Sequence, residues 1–227
     1  MFEEFFRQKR LIPQRLADFG FVRGEDGHFL YTTEILDREF ELVVELIPGA
    51  EESPQIIVGT TVTERMTGYE YVLYKTDAAG SFVGEVRQAV EDVLAAVAEQ
   101  CCEAVAFRFA QTERVIEYAR EKYGDEPEFL WEKFPDSAVL RRKDTQKWYG
   151  AILTTSRRKL GLDSDERVEI LDLRIESDRM DALLADGRYF RGWHMNKKHW
   201  FTVILDGSVD DDEIFARIDG SYRLARK

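Results

Sequence analysis

Cysteine and histidine are scarce in this chain of 227 residues, with two of the first and three of the second. The cysteines are neighbours, Cys101 and Cys102. A bridge between adjacent residues would be strained and would close no useful loop. Both therefore read as reduced thiols of a cytosolic protein. They fall on the buried side of a predicted helix, which suits inert thiols better than nucleophiles. His28 is far in sequence from His194 and His199, no zinc-spaced ligand set occurs, and no glycine-rich loop could cradle a phosphate. No catalytic residue, metal or cofactor is expected, and the chain reads as a non-enzyme.

Long apolar runs are missing as well. The most apolar stretch, 83–109, is interrupted by Glu85, Glu91, Asp92, Glu99 and Glu103, so no segment reaches the ~20 apolar residues of a membrane span. The first residues carry Glu3 and Glu4 where a signal peptide needs a basic region. The expectation is a soluble cytoplasmic protein with no membrane partner. Hydrophobic residues at 44% and charged residues at 33% make an ordinary globular mixture.

A basic excess is absent too, and the net charge is -12. Residues 1–110 hold 10 Lys+Arg against 20 Asp+Glu, whereas residues 111–227 hold 22 against 24. An acidic first half repels nucleic acid and acidic membranes. Any phosphate contact must then be a local patch in the second half. The acids of 1–110 read as solvation, not as a metal site.

What is present gives two similar orders of elements. Residues 2–19 read as a helix with Pro13 as its kink or break. Strands are expected at 28–34 and 38–47, where Phe40, Leu42, Val44 and Leu46 alternate, and as a second hairpin at 55–63 and 69–75. Gly80 and Ser81 open a long helix with Val83, Val86, Val90, Val93, Leu94, Val97 and Cys101 as its stripe. In the second half Thr112 is expected to cap a helix to about Lys122. Strands follow near 137–143, 147–155 and 167–175. Ser177 starts a short helix ended by Gly187. After a strand at 199–205, Ser208 starts a last helix that buries Ile214, Phe215, Ile218 and Tyr222. The reading is α+β, as two small domains, each helix, antiparallel sheet, helix: an acidic domain over 1–110 and a second domain over 111–227.

The most specific run is His194-Met195-Asn196-Lys197-Lys198-His199-Trp200, followed by Thr202-Val203 and Leu205-Asp206-Gly207. It resembles the hallmark of the MmcQ/YjbR family, roughly H-x-N-K-x-H-W-x-x-V. Arg142 to Tyr149 is similar to the family's basic hairpin. Leu171-Asp172-Leu173-Arg174 is similar to its strand before the short helix, where Lys-Cys is common. Asp219-Gly220-Ser221-Tyr222 is similar to its last helix, where His often replaces Gly220. The resemblance spans about half the chain. It implies a frataxin-like (CyaY-like) α/β sandwich, the "double wing", and a DNA-binding role.

Three basic clusters fit phosphate contact: Arg141, Arg142, Lys143 and Lys147; Arg157, Arg158 and Lys159; and Lys197 with Lys198. In a meander the first two clusters lie at opposite ends of the sheet, roughly 25 Å apart at ~3.3 Å per residue. The same residues also fit solvated strand ends that discourage edge pairing. His194, Asn196, His199 and Trp200 have two readings as well. Asn196 and His194 can bond loop backbone while Trp200 enters the core, or the motif can touch a ligand. A nucleic-acid-associated binding protein is one reading, with DNA as partner. A protein-interaction or small-ligand module, with the acidic domain as the partner surface, is the other.

Overall fold

The computed structural model describes residues 2–50 and 54–226. The chain forms two compact units, one up to Val105 and one from Ala106 onward. Both are mixtures of helices and antiparallel sheet.

The first unit holds β1 (Lys9–Leu11), α1 (Pro13–Phe19), β2 (Val22–Arg23), β3 (Phe29–Ile35), β4 (Phe40–Ile47), β5 (Ile57–Glu64), α2 (Ser81–Gln100) and β6 (Cys102–Ala104). Its main sheet runs β2-β3-β4-β5, and β1 pairs with β6 apart from it. The alternation in β4 buries Phe40, Leu42, Val44 and Leu46 against the α2 residues Val86, Val90, Leu94 and Val97. Each such side chain contributes about 1.5–3 kcal/mol of burial.

Two expectations fail in this unit. Residues 2–19 are not one helix: Glu3–Phe6 is a 3₁₀ turn, β1 follows, and α1 begins at Pro13. Proline is favoured in a first turn and holds the residue before it, Ile12, extended. Residues 69–75 are not a strand. Their pairing to β5 stops at the Thr63–Glu70 bridge, and Leu73–Lys75 is a 3₁₀ turn. Tyr74 is buried there and donates its hydroxyl to Thr60 at 2.9 Å. Arg87 collects the carbonyls of Tyr74 and Thr76 at 3.1 and 2.8 Å. A buried ring and satisfied carbonyls replace the ladder.

The second unit holds α3 (Ala110–Tyr123), β7 (Ala138–Arg141), β8 (Trp148–Ser156), β9 (Arg167–Arg174), α4 (Met180–Leu184), β10 (Tyr189–Arg191), β11 (Trp200–Ile204) and α5 (Asp211–Leu224). The sheet order is β10-β11-β9-β8-β7, antiparallel throughout. One face carries Ile152, Leu171, Leu173, Phe201 and Val203 against Val115 of α3 and Ile214 and Ile218 of α5. The opposite face carries Val168, Ile170 and Ile204 with Phe109. Residues just before 111 thus pack into this unit: Phe107 and Phe109 join its cores, and Glu169 accepts the amides of Arg108 and Phe109 at 2.6 and 3.3 Å.

The helix starts differ from the expected ones. Thr112 lies inside α3, fully buried, and the helix begins at Ala110. Ser208 makes a turn on Asp206, and Asp210 occupies the cap position of α5. Asp211, Asp212 and Glu213 fill its first turn, as the helix dipole favours.

Candidate polyanion-binding site

The sheet order gathers four strand ends on one side. Arg141 lies opposite Trp148, and Arg174 lies opposite Trp200. The turn 142–147 and the loop 192–199 therefore leave the same end of the sheet. β8 and β11 flank β9, so the roots of the two loops stand about 10 Å apart, two strand spacings. Arg157, Arg158 and Lys159 follow β8 at the far end.

Arg174 links the two roots. Its Nε donates to the Trp148 carbonyl at 2.5 Å, and its guanidinium lies 4.6 Å from the Trp200 ring centre. Among the described residues it has no carboxylate partner, and burial lowers its pKa. Trp200 is 7% exposed. Gly192 sits over it, where a Cβ would come within 2.8 Å of the Trp200 Cβ and 2.9 Å of its carbonyl oxygen. No larger residue fits that approach without movement.

Asn196 builds the motif loop. Its Oδ1 accepts the Lys198 amide at 3.0 Å, and its carbonyl accepts the amides of His199 and Trp200 at 2.9 and 3.0 Å. That turn leaves Lys197 and Lys198 exposed. His194 takes a left-handed backbone (φ 57°) with its ring 4.7 Å from that of Trp193. His194 and His199 are exposed. Asn196 and Trp200 thus shape the loop. Among the described residues no group of three or more His, Cys, Asp or Glu could hold a metal ion.

Below the loop lies a group that the motif reading missed. Asp172 of β9 is fully buried. Its Oδ1 accepts from the Thr202 hydroxyl and, at 3.2 Å, from the Trp193 amide, while Oδ2 has no partner. Thr202 also accepts the Trp193 amide at 2.9 Å. Burial pushes the Asp172 carboxyl up to about 7, against those hydrogen bonds. A lone acid inside the apolar run 170–173 was the available signal.

The basic residues separate into two groups. Arg142 is 3% exposed: it forks onto Asp144 at 2.8 and 2.6 Å, donates to the Tyr222 carbonyl at 2.9 Å and lies over the Tyr222 ring. It fastens the turn to α5, so it is no surface phosphate contact. Arg141 pairs with Glu128 at 2.9 Å, and Lys143 donates to the Gly124 carbonyl. Arg157 bridges Glu166 and Asp206 at 2.9 and 2.7 Å, and Arg158 pairs with Asp165 at 2.6 Å. Arg142 and Arg157 are held inside the chain, Arg141 and Lys143 are tied to the loop before β7, and Arg158 keeps an exposed pair. Lys147, Lys159, Lys197 and Lys198 are the predicted contacts that have no side-chain partner among the described residues. Of these, Lys147, Lys197 and Lys198 share one end of the sheet.

Cys101 caps the end of α2 and Cys102 begins β6, so they do not share the expected helix face; both are buried, and burial pushes both thiols up to about 11. Among the described residues no helix is long and apolar enough to cross a membrane.

Comparison with known proteins agrees with the motif. A family model described as YjbR matches residues 120–224. The uncharacterised protein YyaQ of Bacillus subtilis (strain 168) is 35% identical over 114 residues, which is 50% of this chain and 97% of that protein. The uncharacterised protein YjbR of Escherichia coli (strain K12) is 53% identical over 32 residues, 14% of this chain and 27% of that protein. A crystal structure of a protein from Pseudomonas syringae is 37% identical, with 50% of this chain and 97% of that chain covered and a TM-score of 0.49. The match to YyaQ over nearly its whole length, together with the motif loop on its turn of Asn196, means that this chain belongs to the MmcQ/YjbR family.

Proposed function

We propose that the chain is a non-catalytic nucleic-acid-binding protein, with DNA as the expected ligand, and that it binds through the basic end of the second sheet. One observation carries the reading: Lys147, Lys197 and Lys198 are unpaired among the described residues and project from two loops that leave the same sheet end. Ammonium groups gathered at one end of the sheet suit backbone phosphates and read no base sequence. The buried, high-pKa thiols support a role without nucleophilic chemistry. We read the second unit as a CyaY-like sandwich of the double-wing type, and the two units as separate domains. The support is α3 and α5 on one face of a five-stranded antiparallel sheet. The reading is tested by fluorescence anisotropy of duplex and single-stranded oligonucleotides across a salt series. Weak binding that fades with salt is expected, and it should drop when Lys147, Lys197 and Lys198 are replaced by alanine.

A specific observation favours the second reading, a protein-interaction or small-ligand module. Phe129, Leu130 and Phe134, between α3 and β7, are exposed together, as side chains that a partner would cover. Absence of oligonucleotide binding even at low salt would select it.

A further inference from the structure

Beside the root of the motif loop, the end of β9, α4 with its preceding turn, and α5 enclose a groove of about 770 Å³. That volume is within the range of small-molecule sites. Its floor is apolar, with Leu183 and Phe201, and its lining carries Arg174, Arg179, Arg217 and Arg223 against one acid, Glu176. The rim is under-neutralised. Arg179 meets Glu176 at 3.1 Å as an exposed pair, which holds little. Arg217 reaches Glu213 at 3.3 Å, but that carboxylate also takes Arg188 at 3.2 Å and the Tyr189 hydroxyl at 2.5 Å. Arg223 is exposed and makes no ion pair among the described residues. Gly220 leaves the α5 wall bare: a Cβ there would meet only the Arg223 guanidinium, at 3.9 Å.

An apolar floor below a ring of guanidinium groups matches one chemistry. We infer that this groove binds an amphiphilic organic anion, a carboxylate or phosphate head on an apolar body. The head pairs with Arg223 and Arg217, for which the planar fork is suited. The body lies on Phe201 and Leu183. The groove shares Arg174 with the root of the polyanion surface but takes none of its lysines.

Isothermal titration of the full chain with monomeric octyl phosphate tests the inference. Saturable binding to a single site is expected, with inorganic phosphate and octyltrimethylammonium each weaker by about ten-fold or more, since each lacks half of the match. Arg223→Ala should weaken octyl phosphate about ten-fold, the scale of one charge-assisted hydrogen bond. Gly220→Phe should abolish binding by filling the groove. Ala216→Glu, at an exposed lining position, tests the charge requirement independently should the phenylalanine variant not fold. Replacing Lys147, Lys197 and Lys198 should leave the affinity unchanged. Equal binding of the ammonium compound, or unchanged affinity in Arg223→Ala and Ala216→Glu, would overturn the inference. So would capture of the chain by phosphatidic acid vesicles with no binding of the monomer, which would assign the groove to a membrane surface.

Discussion

Asp172 concentrates the chemistry of the second unit at a single residue. Its folded pKa, about 7, is above the ordinary carboxylate value because burial penalises the charged form. A raised folded pKa means that the folded state holds the proton more tightly. The associated stability is complete below the ordinary value near 4 and is lost as pH rises through about 7. Asp172→Asn keeps the shape and removes the titration. Relative to the parent, the variant should gain melting temperature between pH 5 and pH 8.5, by an amount reflecting a few kcal/mol. A difference independent of pH would show that Asp172 does not titrate in the fold. Trp200 makes a second test. It is buried under Gly192 and against Arg174, so Trp200→Ala should cost about 3–5 kcal/mol in denaturant unfolding. A wild-type midpoint would make it a surface contact instead. The motif could be read from residue types, because Asn196 and Trp200 have characteristic roles in turns and cores. The fate of the arginines could not. Arg142 and Arg157 look like surface charges until Tyr222 closes on the first and Glu166 and Asp206 close on the second from other segments.

At the scale of elements, the approach of the β10–β11 hairpin to itself is the sharpest constraint. Gly192 donates its amide to the Trp200 carbonyl at 2.9 Å, with no space for a Cβ. Gly192→Ala should therefore destabilise the chain by about 1–3 kcal/mol. Amide exchange should rise first in the 189–204 hairpin, and uniform exchange across the sheet would contradict that local origin. Long elements were legible because their periods are strong: β4 buries alternate residues, and α2 buries a stripe from Val83 to Val97. β6 and β10 have three residues each, too few to show a period, and they exist only through β1 and β11. Residues 69–75 had strand composition but lost the ladder to the burial of Tyr74. Such a tertiary preference leaves no local trace.

For the whole molecule, charge and cores divide together. The apolar cluster from Phe2 to Cys102 shares no residue with those from Phe107 onward. A chain of residues 106–227 should accordingly unfold cooperatively by itself, and a molten product would contradict the reading of two domains. Since residues 1–110 carry the excess of acid, 20 Asp+Glu against 10 Lys+Arg, the shorter chain should bind DNA more tightly at low salt. Equal affinity would mean that the acidic half is electrostatically silent at the site. The central claim is that the polyanion contacts are the unpaired lysines at one sheet end. The most direct measurement is the salt dependence of duplex binding for the full chain, for the Lys147→Ala, Lys197→Ala, Lys198→Ala triple variant and for Arg158→Ala at the far end. If each lysine neutralises one phosphate, the log–log slope should fall by about 0.9 per lysine removed and stay unchanged for Arg158→Ala. A parent chain with no salt-dependent binding, or a triple variant with the parent's slope, would contradict the account.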